Sequence, residues 1–327
     1  MAVTVPDPDL PIIDPHHHLS PRNHWGDGGP YLLREFAADL RSGHRIVSTV
    51  YVESSAFYLK SGPEHLRPAG EAEFAAATAR LAETGEFGPT RICEGIIGHA
   101  DLLSGGLVEE TLAALTQSSE GRLRGIRYSA TWDRDSQLSS GGRAFAPQGI
   151  MADEAFRAGV RKVAAANLVY DAWQFYPQLG ELGGLADAVA DARIVCGHAG
   201  GLIGNRAYSG ADNFQNWKSS VVELAKRPNV FMKIGGLAHE RTGFGFRTRA
   251  VPPTEADLIS LWRPYIETCI EAFGAGRCMF ESNFPVDAVA TDYCTLWSIF
   301  KKVASGCSKD EKTALFAETA RRVYGLE

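Results

Sequence analysis

Eight short apolar segments recur along the chain, most of them rich in Val, Ile or Tyr, and stretches with helical spacing lie between them. They are 11–14 (PIID), 45–53 (RIVSTVYVE), 92–99 (ICEGIIGH), 124–129 (RGIRYS), 168–173 (LVYDAW), 193–198 (RIVCGH), 229–235 (NVFMKIG) and 277–283 (RCMFESN). Runs of this length suit strands buried on both faces. The clearest helical patterns are 71–85, 108–117, 153–167, 255–274 and 309–325. Strand then helix, eight times over, predicts an α/β fold, a parallel (β/α)8 (TIM) barrel forming one domain over 1–327. A doubly wound open sheet is the competing arrangement. Against it, no GxGxxG follows the first segment, and the polar, chemistry-bearing residues gather at the C-terminal ends of many segments rather than at one switch point. A chain of 327 residues is ample for one barrel, which needs about 250. No internal repeat or linker divides it. The stretches 54–70, 130–150, 199–216 and 236–253 are long and rich in Gly, Pro and aromatics, and in a barrel they become the active-site loops.

Composition narrows the partners. Net charge is −6, from 33 basic and 39 acidic residues, with no Lys/Arg-rich tract, so nucleic acid is not expected. No apolar run approaches the roughly 18 residues of a membrane span, and no membrane partner is expected. The opening MAVTVPDPDLP has neither a basic nor an apolar signal region. The six cysteines lack CxxC spacing, and together these features suggest a cytoplasmic protein with reduced thiols. Homo-oligomerisation is left open.

The most unusual stretch is IIDPHHHLSP at 12–21, in a chain with nine histidines. Asp14 and Pro15 are read as the end of strand 1. Side chains alternate across a strand, so His16 and His18 share a face and His17 points away. An HxH pair at a barrel mouth can share one metal ion or one substrate oxygen; a solvated polar loop is the bland alternative. His198 ends segment 6, followed by small residues that leave room above it. His99 ends segment 3 and reads as structural. In segment 8, Glu281 and Asn283 have the same parity and face the axis, with Asp287 free to reach the mouth. A carboxylate inside a barrel must be paired, and Lys233 or Arg127 could neutralise Glu281, leaving an ion-pair role and a catalytic role both open. Arg206, Arg241, Arg247 and Arg249 sit on the loops, and Tyr128, Trp173 and other aromatics on neighbouring strand ends or loops. They suit a flat or cyclic anion, because Arg grips carboxylates bidentately; surface arginines balanced by distant acids would look the same in sequence.

The Asp14-x-His16-x-His18 motif, His198 and MFESNFPVD (279–287) together resemble the amidohydrolase-related barrel hydrolases, nearest the sugar lactonase and 2-pyrone-4,6-dicarboxylate lactonase branch. The resemblance covers nearly the whole chain. It implies a (β/α)8 barrel that hydrolyses a lactone, ester or amide, in some members with one divalent metal, typically Zn2+, and in others without metal. On that basis His16, His18 and His198 are the expected metal ligands. Catalysis is then expected from these three with Glu281, Asn283 and Asp287, and binding of a small anionic substrate from Arg127, Tyr128, Trp173, Lys233, Arg206 and Arg241. Two departures stand out. LVYDAWQFYP has no His on strand 5, which argues against a binuclear site. Asn283 replaces the usual strand 8 Asp, and an amide cannot act as a base. Asp287, Glu281 or a metal-activated water must then supply the base. Otherwise the chemistry is a metal-dependent decarboxylation, or the barrel binds a ligand without turnover.

Overall fold

Each of the eight apolar segments forms a strand, and each strand pairs in parallel with the next in sequence. The computed structural model describes residues 5–22, 28–138 and 143–327. Residues 1–4 of the opening stretch and 139–142 of the loop expected at 130–150 lie outside the described residues. The strands are β1 (Pro11–His17), β2 (Arg45–Val52), β3 (Arg91–His99), β4 (Leu123–Ser129), β5 (Val169–Trp173), β6 (Ile194–Cys196), β7 (Val230–Ile234) and β8 (Cys278–Phe280). A parallel bridge between His17 and Phe284 closes the ring. The hydrogen bonds Asn283 N to His16 O (2.9 Å) and His18 N to Phe284 O (2.8 Å) reinforce it.

Alternation sorts the side chains into two cores. Ile13, Val50, Val52, Ile97, Val169, Val195 and Met279 fill the barrel interior. Its floor is closed by Ala317, Ala320, Val323 and Tyr324 of the C-terminal helical segment. That segment is α-helical over Lys309–Thr313 and Thr319–Tyr324, with a π turn at Ala314–Glu318 between them, where unbroken α-helix was expected. On the outside, residues such as Ile12, Tyr51, Phe156, Leu182, Trp217 and Trp262 pack strands against helices. The expected helices form at Ala69–Ala82, Leu107–Ser118, Glu154–Ala165 and Glu255–Phe273. Among the described residues no helix is long and apolar enough to cross a membrane, and all six cysteines are free thiols.

One boundary differs in a way that makes the site. Asp14 and Pro15 do not end strand 1, which runs on to His17. Asp14 faces Thr49 and His17 faces Tyr51, so three steps along β1 match two along β2. This bulge contains Pro15, which has no N–H to give a ladder. The slip of one residue reverses the parity of everything beyond it. Ile13 points inward before the bulge; after it His16 and His18 do, while His17 turns outward and stacks on Phe36 at 4.1 Å.

Candidate functional site

The bulge on β1, the turn after β6 and the end of β8 converge at the C-terminal mouth of the barrel. His198 opens the turn with φ +54°, followed by Ala199 at +49°, a left-handed run that continues through Gly200 and Gly201. Non-glycine residues adopt this conformation only at some cost. It holds His198 against Glu281, which accepts hydrogen bonds from the His198 N–H (2.9 Å) and from Nδ1 (2.8 Å). Behind the ring lies Gly236 at φ +63°, where a Cβ would sit 2.4 Å from His198 Nδ1. Glycine is required there both for φ and for space.

Each of the three inward imidazoles is engaged through Nδ1. His198 Nδ1 meets Glu281 Oε1, His18 Nδ1 meets the Val52 carbonyl at 2.7 Å, and His16 Nδ1 lies 2.7 Å from Glu281 Oε2. That last contact is close but off line, so no donor points squarely at Glu281 Oε2. His18 and His198 therefore carry their proton on Nδ1 and keep the Nε2 lone pair, whereas His16 Nδ1 accepts from the Lys233 ammonium at 3.1 Å, which places the His16 proton on Nε2; these tautomers are assigned from the partners. His16 Nε2 and His18 Nε2 stand 3.1 Å apart, and the His16 and His198 ring centres are 4.7 Å apart. Burial, reinforced by Lys233, Arg127 and other nearby cations, lowers the pKa of all three below the ordinary histidine value, and their neutral form is favoured. Burial raises the Glu281 pKa, but the neighbouring His198, His16 and Lys233 outweigh it and hold the carboxyl well below its usual range. With the imidazoles neutral, Lys233 and the N–H donors of His198 are the lasting causes.

An ionic chain runs beneath the cluster. Lys233 Nζ on β7 lies 3.7 Å from Glu281 Oε2, 3.1 Å from His16 Nδ1 and 2.8 Å from Asp171 Oδ2 on β5. Asp171 also accepts from the Tyr324 hydroxyl at 2.9 Å, so the barrel floor supports the site from below. Lys233 thus neutralises Glu281, as the sequence allowed. Arg127 does not: it donates to Glu53 at the end of β2 through Nε at 2.9 Å and through a second bond to the Glu53 carbonyl. Arg143 holds the other Glu53 oxygen at 2.6 Å.

The resulting pocket is lined by His18, Arg127, Arg143, Trp173, His198, His239, Arg241 and Asn283, with Ser54 and Val286. Asn283, itself at φ +53°, donates through Nδ2 to Asp287 Oδ1 at 2.8 Å. Its carbonyl end is left for the pocket side. Asp287 is not free to reach the mouth, because it is buried behind Asn283 and also accepts from the Ala238 N–H at 3.4 Å. Burial pushes its carboxyl up to about 7, against the lowering effect of those hydrogen bonds.

Of the sequence-selected residues, His16, His18, His198, Glu281, Lys233, Asn283, Arg127, Trp173 and Arg241 come together, with Asp287 just behind. Two stand apart. Arg206 is a surface residue paired with Asp135, which is the bland reading of a loop arginine. Tyr128 stacks beside His99 at 5.8 Å and edges onto Phe156, outside the pocket lining. Sequence reading missed Glu53, Asp171, Arg143 and His239. Asp171 had a signal, since an acid in the middle of LVYDAW must find a buried partner; so had Glu53, which closes an otherwise apolar strand.

Three buried neutral imidazoles, a carboxylate that lies against two of them and a pocket open to solvent are equipment for polarising a carbonyl and activating water. His16, His198 and Glu281 also bring ligand-type atoms within 4.8 Å of one another, all buried. Fold and site together define a barrel of the amidohydrolase kind. The Amidohydrolase family model matches residues 13–326, and the chain belongs to that family. It is 29% identical to the uncharacterized protein y4mH of Sinorhizobium fredii over 97% of this chain and 99% of that one. It is also 29% identical to L-fucono-1,5-lactonase of Burkholderia multivorans over 71% of each. Among solved structures, a Zn-bound amidohydrolase from Burkholderia multivorans superposes with TM-score 0.75 at 23% identity, covering 97% of this chain and 99% of that one. The 5-carboxyvanillate decarboxylase of Sphingomonas paucimobilis shares the fold at TM-score 0.54 and 13% identity, over 97% and 100%.

Proposed function

We propose that this chain is a hydrolase that opens a lactone, or cleaves a related ester or amide, by attack of water at His16, His18 and His198. The observation that carries the reading is that all three imidazoles are held from behind through Nδ1, by Glu281, the Val52 carbonyl and Lys233, which leaves the Nε2 side of each ring as the side available for chemistry. The lactonase relative supports the bond type.

The donor set fits one divalent metal such as Zn2+. His16 Nε2 and His18 Nε2 face each other at 3.1 Å, joined by the His16 proton; a divalent ion would take the place of that proton, so that both lone pairs serve it. On the opposite side of His16 the Lys233 ammonium lies 3.1 Å from Nδ1 and repels a second cation. His16, His18 and His198 would therefore hold the metal, with Glu281 acting through the imidazoles rather than as a ligand. When bound, the ion supplies Lewis acidity, stabilising charge on a carbonyl oxygen and making the attacking water more acidic.

The protein's own groups do the rest. Glu281 fixes the tautomer and orientation of His198 and lies against His16, whose Nδ1 accepts from Lys233. Asn283 presents its amide oxygen, with its NH2 held by Asp287, and can orient a water but not deprotonate it. Asp287, with its carboxyl near neutrality, is the nearest carboxylate behind that amide. The missing base at Asn283 also favours a second reading, decarboxylation, in which no water need be activated. Purified protein should carry about one zinc-class ion per chain by elemental analysis, and His16→Ala and His198→Ala should each abolish both that ion and lactone turnover. Unchanged turnover in both variants would reject the assignment.

A further inference from the structure

Arg241 stands out among the pocket residues because nothing pays for its burial. It sits on the turn Glu240–Thr242 and is only 2% exposed. Yet its side chain makes no hydrogen bond or ion pair among the described residues, and its Nε is buried with no partner. Arg127 and Arg143 have Glu53, and Arg206 has Asp135; Arg241 has only the face of Trp173, 4.4 Å from Cζ. The carboxylates that act on it, Asp287 and Glu281, do so at a distance, and burial draws its guanidinium pKa down to about 9. A buried cation left without an anion is costly in a folded protein.

The turn that carries it is fixed. Gly204 N donates to the Arg241 carbonyl at 2.8 Å. A Cβ on Gly204 would fall 2.1 Å from the Thr242 carbonyl oxygen, and one on Gly243 would fall 2.2 Å from the Gly204 carbonyl oxygen. The loops after β6 and β7 are thus locked backbone to backbone, and from that fixed turn the guanidinium lies against Trp173 in the pocket that His198 also lines. Preorganisation of this kind lowers the entropy lost when a ligand binds.

We infer that Arg241 is the recognition residue for an ionised carboxylate on the substrate, seated between Trp173 and the histidine cluster. The accepted compounds are then acid-bearing lactones, esters or amides rather than neutral ones. Bidentate pairing would satisfy the fork of donors that the protein leaves open. The assignment rests on the proposed hydrolase for the word substrate, but the anion subsite is measurable without turnover.

Calorimetry with glutarate and with its neutral diamide, on wild-type protein and on Arg241→Met and Arg241→Lys, provides the test. Wild type should bind glutarate at least tenfold more tightly than Arg241→Met, with Arg241→Lys between them, because Lys keeps the charge and loses the fork. Glutaramide should not distinguish the three proteins. Without ligand, Arg241→Met should melt at or above the wild-type temperature, since it removes an uncompensated charge and keeps apolar contact with Trp173. Equal glutarate affinity in wild type and Arg241→Met, no glutarate binding by wild type, or a melting temperature for Arg241→Met several degrees below wild type would overturn the subsite. Failure of the hydrolase reading alone would look different: glutarate binding would still depend on Arg241, and no lactone would be opened.

Discussion

Replacing Glu281 by Gln keeps the shape of the side chain and removes its charge, and the structure gives the size of the effect. The carboxylate receives the His198 N–H at 2.9 Å and His198 Nδ1 at 2.8 Å, lies 2.7 Å from His16 Nδ1, and stands 3.7 Å from Lys233. An amide cannot serve all of these: its NH2 must face either the His198 donors or the His16–Lys233 side, so at least one donor meets a donor. Breaking a buried ion pair costs about 3–5 kcal/mol, and Lys233 keeps Asp171 at 2.8 Å as a second partner. The lower end, about 3 kcal/mol, is expected. Unfolding entropy of about 2.1 cal/mol/K per residue over this chain then gives a fall in Tm of roughly 4 °C. Loss of a group that orients metal-binding histidines typically reduces metal affinity or activity about 10–100-fold. Calorimetric melting with and without added zinc, alongside metal titration, reads both. A variant that melts like wild type and holds zinc as tightly would refute the orienting role. Complete loss of metal would instead make Glu281 a ligand.

Two further outcomes follow from the same geometry. Gly236→Ala places a methyl 2.4 Å from His198 Nδ1 at φ +63°, so His198 must leave Glu281; turnover should drop by about 100-fold or more, and preserved kcat would show that His198 is not needed in its observed position. Asp287 has its carboxyl raised to about 7, so the folded state binds its proton more tightly than the unfolded chain does. Its contribution to stability is full below about pH 4 and is lost as pH rises through 7. Asp287→Asn should therefore show a flatter stability–pH curve than wild type between pH 4 and 7 in urea melts, and parallel curves would contradict the shift.

The barrel was legible because its signal is local. Apolar runs and helical spacing recur eight times, and each depends only on neighbours in sequence. The pairing of His16 with His18 was legible for the same reason, being a consequence of strand alternation. Their inward direction was not, since it depends on the slip at Pro15 against β2, and a proline in sequence reads as a stop. Ion pairing was the least legible. Arg127 meets Glu53 across 74 positions and Arg206 meets Asp135 across 71, and sequence spacing carries no register between such segments. Asp287 is illegible for the opposite reason: its loop position suggests reach to the mouth, whereas a bond from Asn283 four residues back holds it inside.

The central claim is that water adds to a carbonyl at the His16, His18 and His198 site without loss of carbon. The most direct measurement is mass spectrometry of the product when wild-type protein turns over a carboxylated lactone in 18O-enriched water, with the headspace monitored for carbon dioxide. Ring opening predicts one 18O in the new carboxyl group, a product two mass units heavier than in ordinary water, and no gas. Carbon dioxide in proportion to substrate consumed, with no solvent oxygen in the product, would contradict it.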